Sequence, residues 1–240
     1  MTPRRFLAAA AVTVLAAAAT AAPVKHKAPI HRAKAPVARD WSRTVLVTPE
    51  GGFRMGNPNA RVKLVEYGSL TCPHCAHFSE TGTPALVAQY VKTGKVSYEY
   101  RNFILNGIDA AAVLLARCAG PAHYFPFVEQ AYATQKEWVG RVGALSAAQK
   151  AELTALPEGQ RLGKVADFAG LYTLAARHGI TPARGKQCVG DTAALERLGK
   201  MYEAASALGV QGTPTFFVNG SRADTNEWTG LEPLIRQAGG

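Results

Sequence analysis

The hydrophobic and polar positions divide the chain into strand-like and helix-like stretches. Short β-branched runs at residues 44–47 and 62–67 predict two strands, and the alternating residues VSYEYRNF at 96–103 predict a third. Between the first two runs, GGFRMGNPNA at 51–60 predicts turns throughout. Residues 76–92 predict a helix. A strand, a helix and a strand in this order predict two parallel strands joined by a helical crossover.

The second half of the chain is dominated by helical spacing. Apolar residues recur every three or four positions in much of the stretch 110–207. The pattern then returns to a strand at 214–218, a hairpin turn at Asn219-Gly220 and a short helix at 231–237. The order of these elements predicts an α/β fold whose sheet is interrupted by a helical insertion at about 108–208.

Composition and charge narrow the class of protein. The chain has 240 residues, 48% hydrophobic and 18% charged, which is typical of a globular protein with a substantial core. The net charge of +10 would suit a nucleic-acid-binding protein, but residues 1–39 hold seven of the 27 basic residues and none of the acidic ones. From Asp40 onward 20 basic residues face 17 acidic ones. We therefore expect no nucleic-acid partner.

The first 39 residues predict export. Arg4 and Arg5 precede a short apolar run, and Ala19-Thr20-Ala21 supplies a cleavage pattern, so residues 1–21 predict a signal peptide, with an uncleaved anchor as the alternative. Residues 22–39, rich in Ala, Pro and basic side chains, predict a flexible tether, either near an anionic surface or simply solvated. Residues 40–240 are the predicted folded domain. Export implies an oxidising compartment, where cysteines form disulfides.

The stretch LTCPHCAHF at 70–78 has three possible chemistries: covalent haem attachment, zinc binding or a redox dithiol. Haem attachment requires a histidine directly after the second cysteine, and that position is Ala76. A structural zinc site requires four ligands at close spacing, and the other two cysteines of the chain are isolated. The dithiol Cys72/Cys75 is therefore the favoured interpretation, and we expect neither a metal nor another cofactor.

The position of the dithiol predicts an activated thiol. Cys72 falls where a strand passes into a helix, so unpaired backbone N–H groups and the helix dipole favour its thiolate. Cys75 lies one turn further along the helix, within reach for a disulfide. Pro73 restrains the turn, and His74 is expected to add a favourable interaction with the Cys72 thiolate.

With CPHC after a strand and GTPTFFVNG at 212–220, the chain resembles the DsbA-like thiol:disulfide oxidoreductases of bacterial envelopes. The resemblance implies a thioredoxin fold with a helical insertion. It also implies that Pro214 is cis and lies against the dithiol, and that Thr213 offers its backbone to a substrate peptide. Taken alone, Thr213-Pro214 could equally be a trans proline that starts an edge strand. The best-known oxidase has valine in place of Thr213, which leaves the choice between oxidase and isomerase open.

Three further residues complete the predicted site and its support. The resemblance implies that Glu66 is a buried acid that exchanges a proton with Cys75; the alternative is a solvated glutamate on an edge. Export favours a Cys118–Cys188 disulfide, and two buried free thiols are the alternative.

The expected function is that of a periplasmic, monomeric oxidase. The Cys72–Cys75 disulfide would pass to reduced exported proteins through a mixed disulfide, and the resemblance implies reoxidation by a membrane quinone reductase of the DsbB kind. Two alternatives remain open: an isomerase or reductase of the same fold, and a non-catalytic peptide-binding protein with a structural dithiol.

Overall fold

A computed structural model describes Ala11, Thr13 and the continuous stretch from Arg39 to Gly240. Apart from Ala11, Thr13 and Arg39, the predicted signal peptide (1–21) and tether (22–39) lie outside the described residues. Arg39 and the residues after it belong to a single compact unit. None of the helices in this part of the chain is both long enough and apolar enough to cross a membrane.

The unit is built on a six-stranded mixed sheet with the order β1-β2-β4-β3-β5-β6. The central pair, β3 and β4, is parallel, as the strand–helix–strand pattern predicts, and all other neighbouring strands are antiparallel. Strand β3, which leads to the CPHC motif, therefore has a hydrogen-bonded neighbour on each side. The strands are β1 (Val45–Val47), β2 (Phe53–Gly56), β3 (Val62–Gly68), β4 (Val96–Asn102), β5 (Thr215–Val218) and β6 (Ser221–Arg222).

Strand β2 lies inside the stretch for which the sequence predicts only turns. That prediction is wrong for Phe53–Gly56, which pairs with β1 on one side and β4 on the other. The side chain of Phe53 is buried, and its ring stacks on that of Tyr124 with a centroid distance of 3.6 Å. Burial against a distant helix thus outweighs the local turn preference of the surrounding Gly and Asn residues.

The helices confirm the two predicted helical regions and a final helix. They are α1 (Pro73–Thr81), α2 (Thr83–Ala85), α3 (Gly107–Cys118), α4 (Pro121–Ala133), α5 (Gln135–Gly143), α6 (Ala147–Ala155), α7 (Glu158–Ala169), α8 (Leu171–Arg177), α9 (Pro182–Val189), α10 (Thr192–Ala207) and α11 (Trp228–Gln237). A π-helical segment, Leu86–Val91, follows α2. The helix predicted over 76–92 begins earlier, at Pro73, and divides at Gly82, two residues before Pro84, which has no N–H to donate.

The two faces of the sheet pack against different helices. Leu64 and Tyr100 belong to the main hydrophobic core, which includes residues of α1, α3 and α4. On the other face, Tyr67 and Phe103 form a smaller cluster with Ala205 of α10. The fold is thus a thioredoxin-like sheet with helices packed on both faces.

Candidate active site

The dithiol lies at the junction of β3 and α1. Strand β3 ends at Gly68, residues 69–71 form a short loop, and Cys72 is the N-cap of α1. Pro73 occupies the first helical position, where a missing N–H costs nothing because that group has no helical partner. Both cysteines are free thiols, so the structure represents the reduced dithiol. Cys75 is fully buried and Cys72 is 5% exposed.

The surroundings of Cys72 favour its thiolate. The pKa of the Cys72 thiol falls from its ordinary value of 9.0 to about 5, first because the Cys75 thiol donates a hydrogen bond to it. Burial opposes this change, while the Thr213 hydroxyl and the backbone N–H groups of Cys75 and His74 add to it. At neutral pH Cys72 is therefore an anionic nucleophile.

His74 contributes to this low pKa through its backbone N–H, while its side chain is exposed. The additional interaction between the His74 imidazole and the thiolate stays a prediction. Pro73 is likewise exposed, beside the nucleophile.

Thr213 and Pro214 lie against the dithiol across 141 residues of sequence. The Cys72 Sγ is 3.1 Å from the carbonyl oxygen of Thr213, and the Thr213–Pro214 peptide bond is cis. The Thr213 Oγ1 atom is buried and has no hydrogen-bond partner among the described residues of the dithiol form. This hydroxyl is thus free to donate to the Cys72 thiolate.

Glu66 lies on the central strand directly behind the dithiol. It is 1% exposed, in register with Tyr100 of β4 on one side and Phe216 of β5 on the other, so the alternative of a solvated edge glutamate is wrong. The Tyr98 hydroxyl donates a hydrogen bond of 2.5 Å to its Oε2. Burial above all, together with the Cys72 thiolate, raises the pKa of Glu66 to about 8, against the hydrogen bond from Tyr98, which lowers it. At neutral pH the carboxyl group therefore carries a proton.

The pKa of Cys75 is shifted in the opposite direction from that of Cys72. Burial raises the pKa of the Cys75 thiol well above its ordinary value, and negative charge on Cys72 and Glu66 raises it too. The two thiols of one motif thus differ in chemistry: Cys72 is a thiolate at neutral pH, whereas Cys75 is a protonated thiol beside an acid.

The loop before Cys72 is held by Asp109, a residue in which the sequence suggested no role. Its carboxylate accepts hydrogen bonds from the Ser69 hydroxyl (2.6 Å) and from the backbone N–H groups of Leu70 (2.9 Å) and Leu105 (3.0 Å). Burial raises the pKa of Asp109 to about 6 against these hydrogen bonds. The N-cap Asn106, which accepts from the Asp109 N–H, is the only local signal for this arrangement.

Two side chains of the helical insertion hold the carbonyl groups of the same loop. The Gln135 amide donates to the carbonyl oxygens of Leu70 (2.8 Å) and Cys72 (3.0 Å), and the Tyr132 hydroxyl donates to that of Ser69 (3.0 Å). Gln135 is 6% exposed, so these bonds form in a desolvated site. The insertion therefore fixes the loop that presents the nucleophile.

The remaining cysteines are joined away from this site. Cys118, at the end of α3, and Cys188, in α9, form a disulfide across 70 residues. Within residues 39–240 no group of three or more His, Cys, Asp or Glu side chains is arranged to hold a metal ion. His77, next to the dithiol, instead has its Nε2 3.5 Å from a carboxylate oxygen of Glu227.

Comparison with known proteins places this geometry in a family. Residues 48–237 match the model of a thioredoxin family. A relative from Rickettsia typhi, provisionally named a protein-disulfide oxidoreductase, is 32% identical over 186 residues, which are 77% of this chain and 60% of the relative. A similarly named relative from Rickettsia bellii is 31% identical over 79% of this chain and 65% of its own. The chain thus spans somewhat less than two thirds of the length of these relatives.

Solved structures of similar fold give the same picture. A protein-disulfide isomerase from Novosphingobium aromaticivorans is 29% identical and superposes with a TM-score of 0.72, covering 78% of this chain and 97% of its own. The α-DsbA1 protein of Wolbachia pipientis shares the fold at 22% identity and a TM-score of 0.64, over 80% of this chain and 93% of its own. These matches confirm the predicted DsbA-like architecture.

Proposed function

The chain belongs to the thioredoxin family, and we propose that it is a protein-disulfide oxidoreductase that donates the Cys72–Cys75 disulfide to reduced exported proteins. The observation that carries the proposal is the opposite behaviour of the two thiols: the pKa of Cys72 is lowered to about 5 and that of Cys75 is raised. A pair of this kind has one good leaving group and one thiol that retains its proton.

The reaction consists of two thiol–disulfide exchanges. A substrate thiolate attacks Cys72 Sγ, which breaks the Cys72–Cys75 bond, forms a mixed disulfide and releases Cys75, which takes up a proton. A second substrate thiolate then attacks the substrate sulfur of the mixed disulfide and releases Cys72 as a thiolate. Two electrons pass from the substrate to the protein, and the substrate gains one disulfide.

The direction of transfer follows from the stability of the Cys72 thiolate. A fall of the pKa from 9.0 to about 5 corresponds to roughly 5 kcal/mol in favour of the thiolate. Because the oxidised protein has no thiolate, this stabilisation belongs to the reduced form alone. A dithiol whose reduced form is stabilised acts as an oxidant of other proteins.

Glu66 is proposed to exchange the proton of Cys75. Its carboxyl group is protonated at neutral pH and buried on the Cys75 side of the motif. When Cys75 leaves as a thiolate in this desolvated site, a neutral acid nearby supplies a proton, and the negative charge passes to Glu66, whose pKa of about 8 lies below that of Cys75.

The proposal includes the cellular setting. Residues 1–21 would direct export to the periplasm, substrates would be reduced exported proteins, and a membrane quinone reductase of the DsbB kind would reoxidise the dithiol. Thr213 would offer its carbonyl and N–H to an extended segment of the substrate beside Cys72.

The central experiment is a measurement of the reduction potential of the dithiol in a glutathione redox buffer. We expect a potential more oxidising than about −200 mV, well above that of thioredoxin. The oxidised protein should also convert reduced ribonuclease A to its disulfide form, and a Cys72→Ser variant should not. A potential near that of thioredoxin, about −270 mV, would refute the oxidase direction.

A second candidate function is disulfide isomerisation. It is favoured by Thr213 before the cis proline and by the isomerase name of the Novosphingobium relative. Scrambled ribonuclease distinguishes the two: an isomerase restores its activity without external oxidant, starting from the reduced dithiol. A non-catalytic peptide-binding role instead predicts full activity in cells for a Cys72→Ala variant.

A further inference from the structure

A cleft of about 400 Å³ lies on the face of the sheet opposite to Glu66, between α10 and the strands β3 and β4. We name it the basic cleft by six of the residues that line it: Arg117, Arg197 and Lys200, which are cationic, and Tyr67, Ala205 and Leu208, which are apolar. Tyr67 follows Glu66 on the same strand, so its side chain lies on the other face. The basic cleft is therefore separate from the dithiol.

The three cations of the basic cleft have no carboxylate partner within residues 39–240. The Arg117 guanidinium donates to the carbonyl oxygens of Gly51 (2.9 Å) and of the Asn102 side chain (3.2 Å), which are neutral acceptors. Arg197 and Lys200 are exposed and take part in none of the described salt bridges.

A fourth cation at the same site behaves differently. Arg101 also lines the cleft, and it is 2.7 Å from Glu99 and 3.7 Å from Glu50. The acidic side chains near the cleft are thus already paired with Arg101. The charges of Arg117, Arg197 and Lys200 have no counterion among the salt bridges of the described residues.

The cations of the basic cleft destabilise one another. Burial and the neighbouring Arg197 both lower the pKa of Arg117, because a partly desolvated cation beside another cation is destabilised. Asn102, which is buried and also lines the cleft, has a side-chain Nδ2 without a hydrogen-bond partner among the described residues. Two like charges and an unused donor at one place are typical of a site that receives negative charge from a ligand.

Cationic and apolar residues lie at opposite ends of the cleft along α10. Arg197, Lys200, Ala204, Ala205 and Leu208 follow each other at helical spacing and share one face of the helix. The cationic residues lie at the N-terminal end of this face and the apolar residues at its C-terminal end. From residue 197 to residue 208 the helix rises about 16 Å. Leu208 is 59% exposed, so the apolar end is open to an apolar ligand.

We propose that the basic cleft binds a small amphipathic anion. The carboxylate or phosphate head would lie at Arg117, Arg197 and Lys200, and the hydrocarbon part along Tyr67, Ala205 and Leu208. A volume of about 400 Å³ is in the range of small-molecule sites. Both a free organic anion and the headgroup of an anionic lipid have this chemistry. The site is independent of the disulfide chemistry of Cys72.

Isothermal titration of the full chain with monomeric decyl phosphate and decanoate tests the proposal. We expect both to bind, and decyltrimethylammonium and decyl maltoside, which have the same chain but no negative head, to bind at least tenfold more weakly. Arg197→Gln and Lys200→Gln should each weaken decyl phosphate binding about fivefold. Lys150→Gln, which removes an equal charge from an exposed site on α6, should leave binding unchanged.

The results distinguish a lipid headgroup from a free anion as the natural ligand, and they also show whether the proposal fails. If the double variant Arg197→Gln/Lys200→Gln also loses binding to phosphatidylglycerol vesicles, the natural ligand is a lipid headgroup. If only binding of the monomeric anions is lost, the ligand is a free anion. Equal affinity for the maltoside, or unchanged decyl phosphate binding in the double variant, overturns the proposal. The dithiol activity of all these variants should match that of the unmodified chain.

Discussion

Lowering the pH should destabilise the reduced protein relative to the oxidised one. The reduced form contains the Cys72 thiolate, whose pKa is about 5 in the folded protein and 9.0 in an unperturbed thiol. A group whose pKa is lowered by folding adds stability that is complete above its unfolded pKa and is lost as the pH falls through its folded pKa. The stabilisation by the Cys72 thiolate therefore changes between about pH 5 and pH 9. At about pH 7 half of the full stabilisation is present.

The expected magnitude follows from these two values. At about pH 7 the folded thiol is ionised and the unfolded thiol is still protonated, so the thiolate contributes roughly 3 kcal/mol. At about pH 4 both are protonated and the contribution is zero. Glu66 and Asp109 have raised pKa values in the folded protein, which stabilise it at low pH instead. Both carboxyl groups are present in the reduced and oxidised forms, so their main effect cancels in the difference.

The assay is urea unfolding followed by circular dichroism, for the reduced and the oxidised full chain, at about pH 7 and about pH 4. The difference in free energy of unfolding between the two forms should fall by roughly 3 kcal/mol at the lower pH. A Cys72→Ser variant, which cannot form the Cys72–Cys75 disulfide and has no ionisable group at position 72, should show the pH dependence of the oxidised chain. A reduced-minus-oxidised difference that stays constant within about 1 kcal/mol would contradict the thiolate argument.

Three further variants test the residues that support the site. Glu66→Gln keeps an acceptor for Tyr98 but cannot release a proton. Disulfide transfer to a reduced peptide, measured by stopped-flow fluorescence, should therefore slow by at least about tenfold, and its pH–rate profile should lose the inflection near pH 8. An unchanged rate and pH–rate profile would exclude proton exchange by Glu66. Asp109→Asn replaces a charged acceptor of three hydrogen bonds and should lower the free energy of unfolding by about 2 kcal/mol in both redox forms; a change confined to one form would contradict a purely structural clamp. The double variant Cys118→Ala/Cys188→Ala opens a cross-link across 70 residues and should cost about 4 kcal/mol, with the Cys72 pKa unchanged; full stability would show that the bridge constrains little.

The features that the sequence predicts correctly are those with a local signal. The parallel strands around CPHC, the strand after Pro214 and the helical insertion follow from short-range periodicity. The sequence does not predict strand β2 because its Gly-rich surroundings favour turns, while its place in the sheet depends on the burial of Phe53 against the distant Tyr124. Local propensity therefore failed where a tertiary contact decided the outcome.

The residues of the candidate site can likewise be predicted only where the sequence carries a local signal. The dithiol and the helix N-terminus beneath it are visible in nine residues of sequence, and Glu66 was named only through the family resemblance. Asp109 and Gln135 reach the loop across 39 and 65 residues; the N-cap Asn106 is the only local sign of Asp109, and nothing near Gln135 marks it. The basic cleft is hidden for the same reason, since Arg117 and Arg197 come from different helices and become neighbours only in the folded chain.

The contact between Cys72 and Thr213 also has a consequence for biosynthesis. The chain is made from its N-terminus, so Cys72 exists for 141 residues before the neighbour that completes its environment. During that interval the CPHC motif is an ordinary dithiol in an incomplete chain, and Cys118 and Cys188 are two more reduced thiols in need of a disulfide. A newly made molecule therefore needs a disulfide of its own, Cys118–Cys188, before its dithiol has the surroundings on which the proposed activity depends. The environment of the dithiol is complete only when strand β5 has paired with β3.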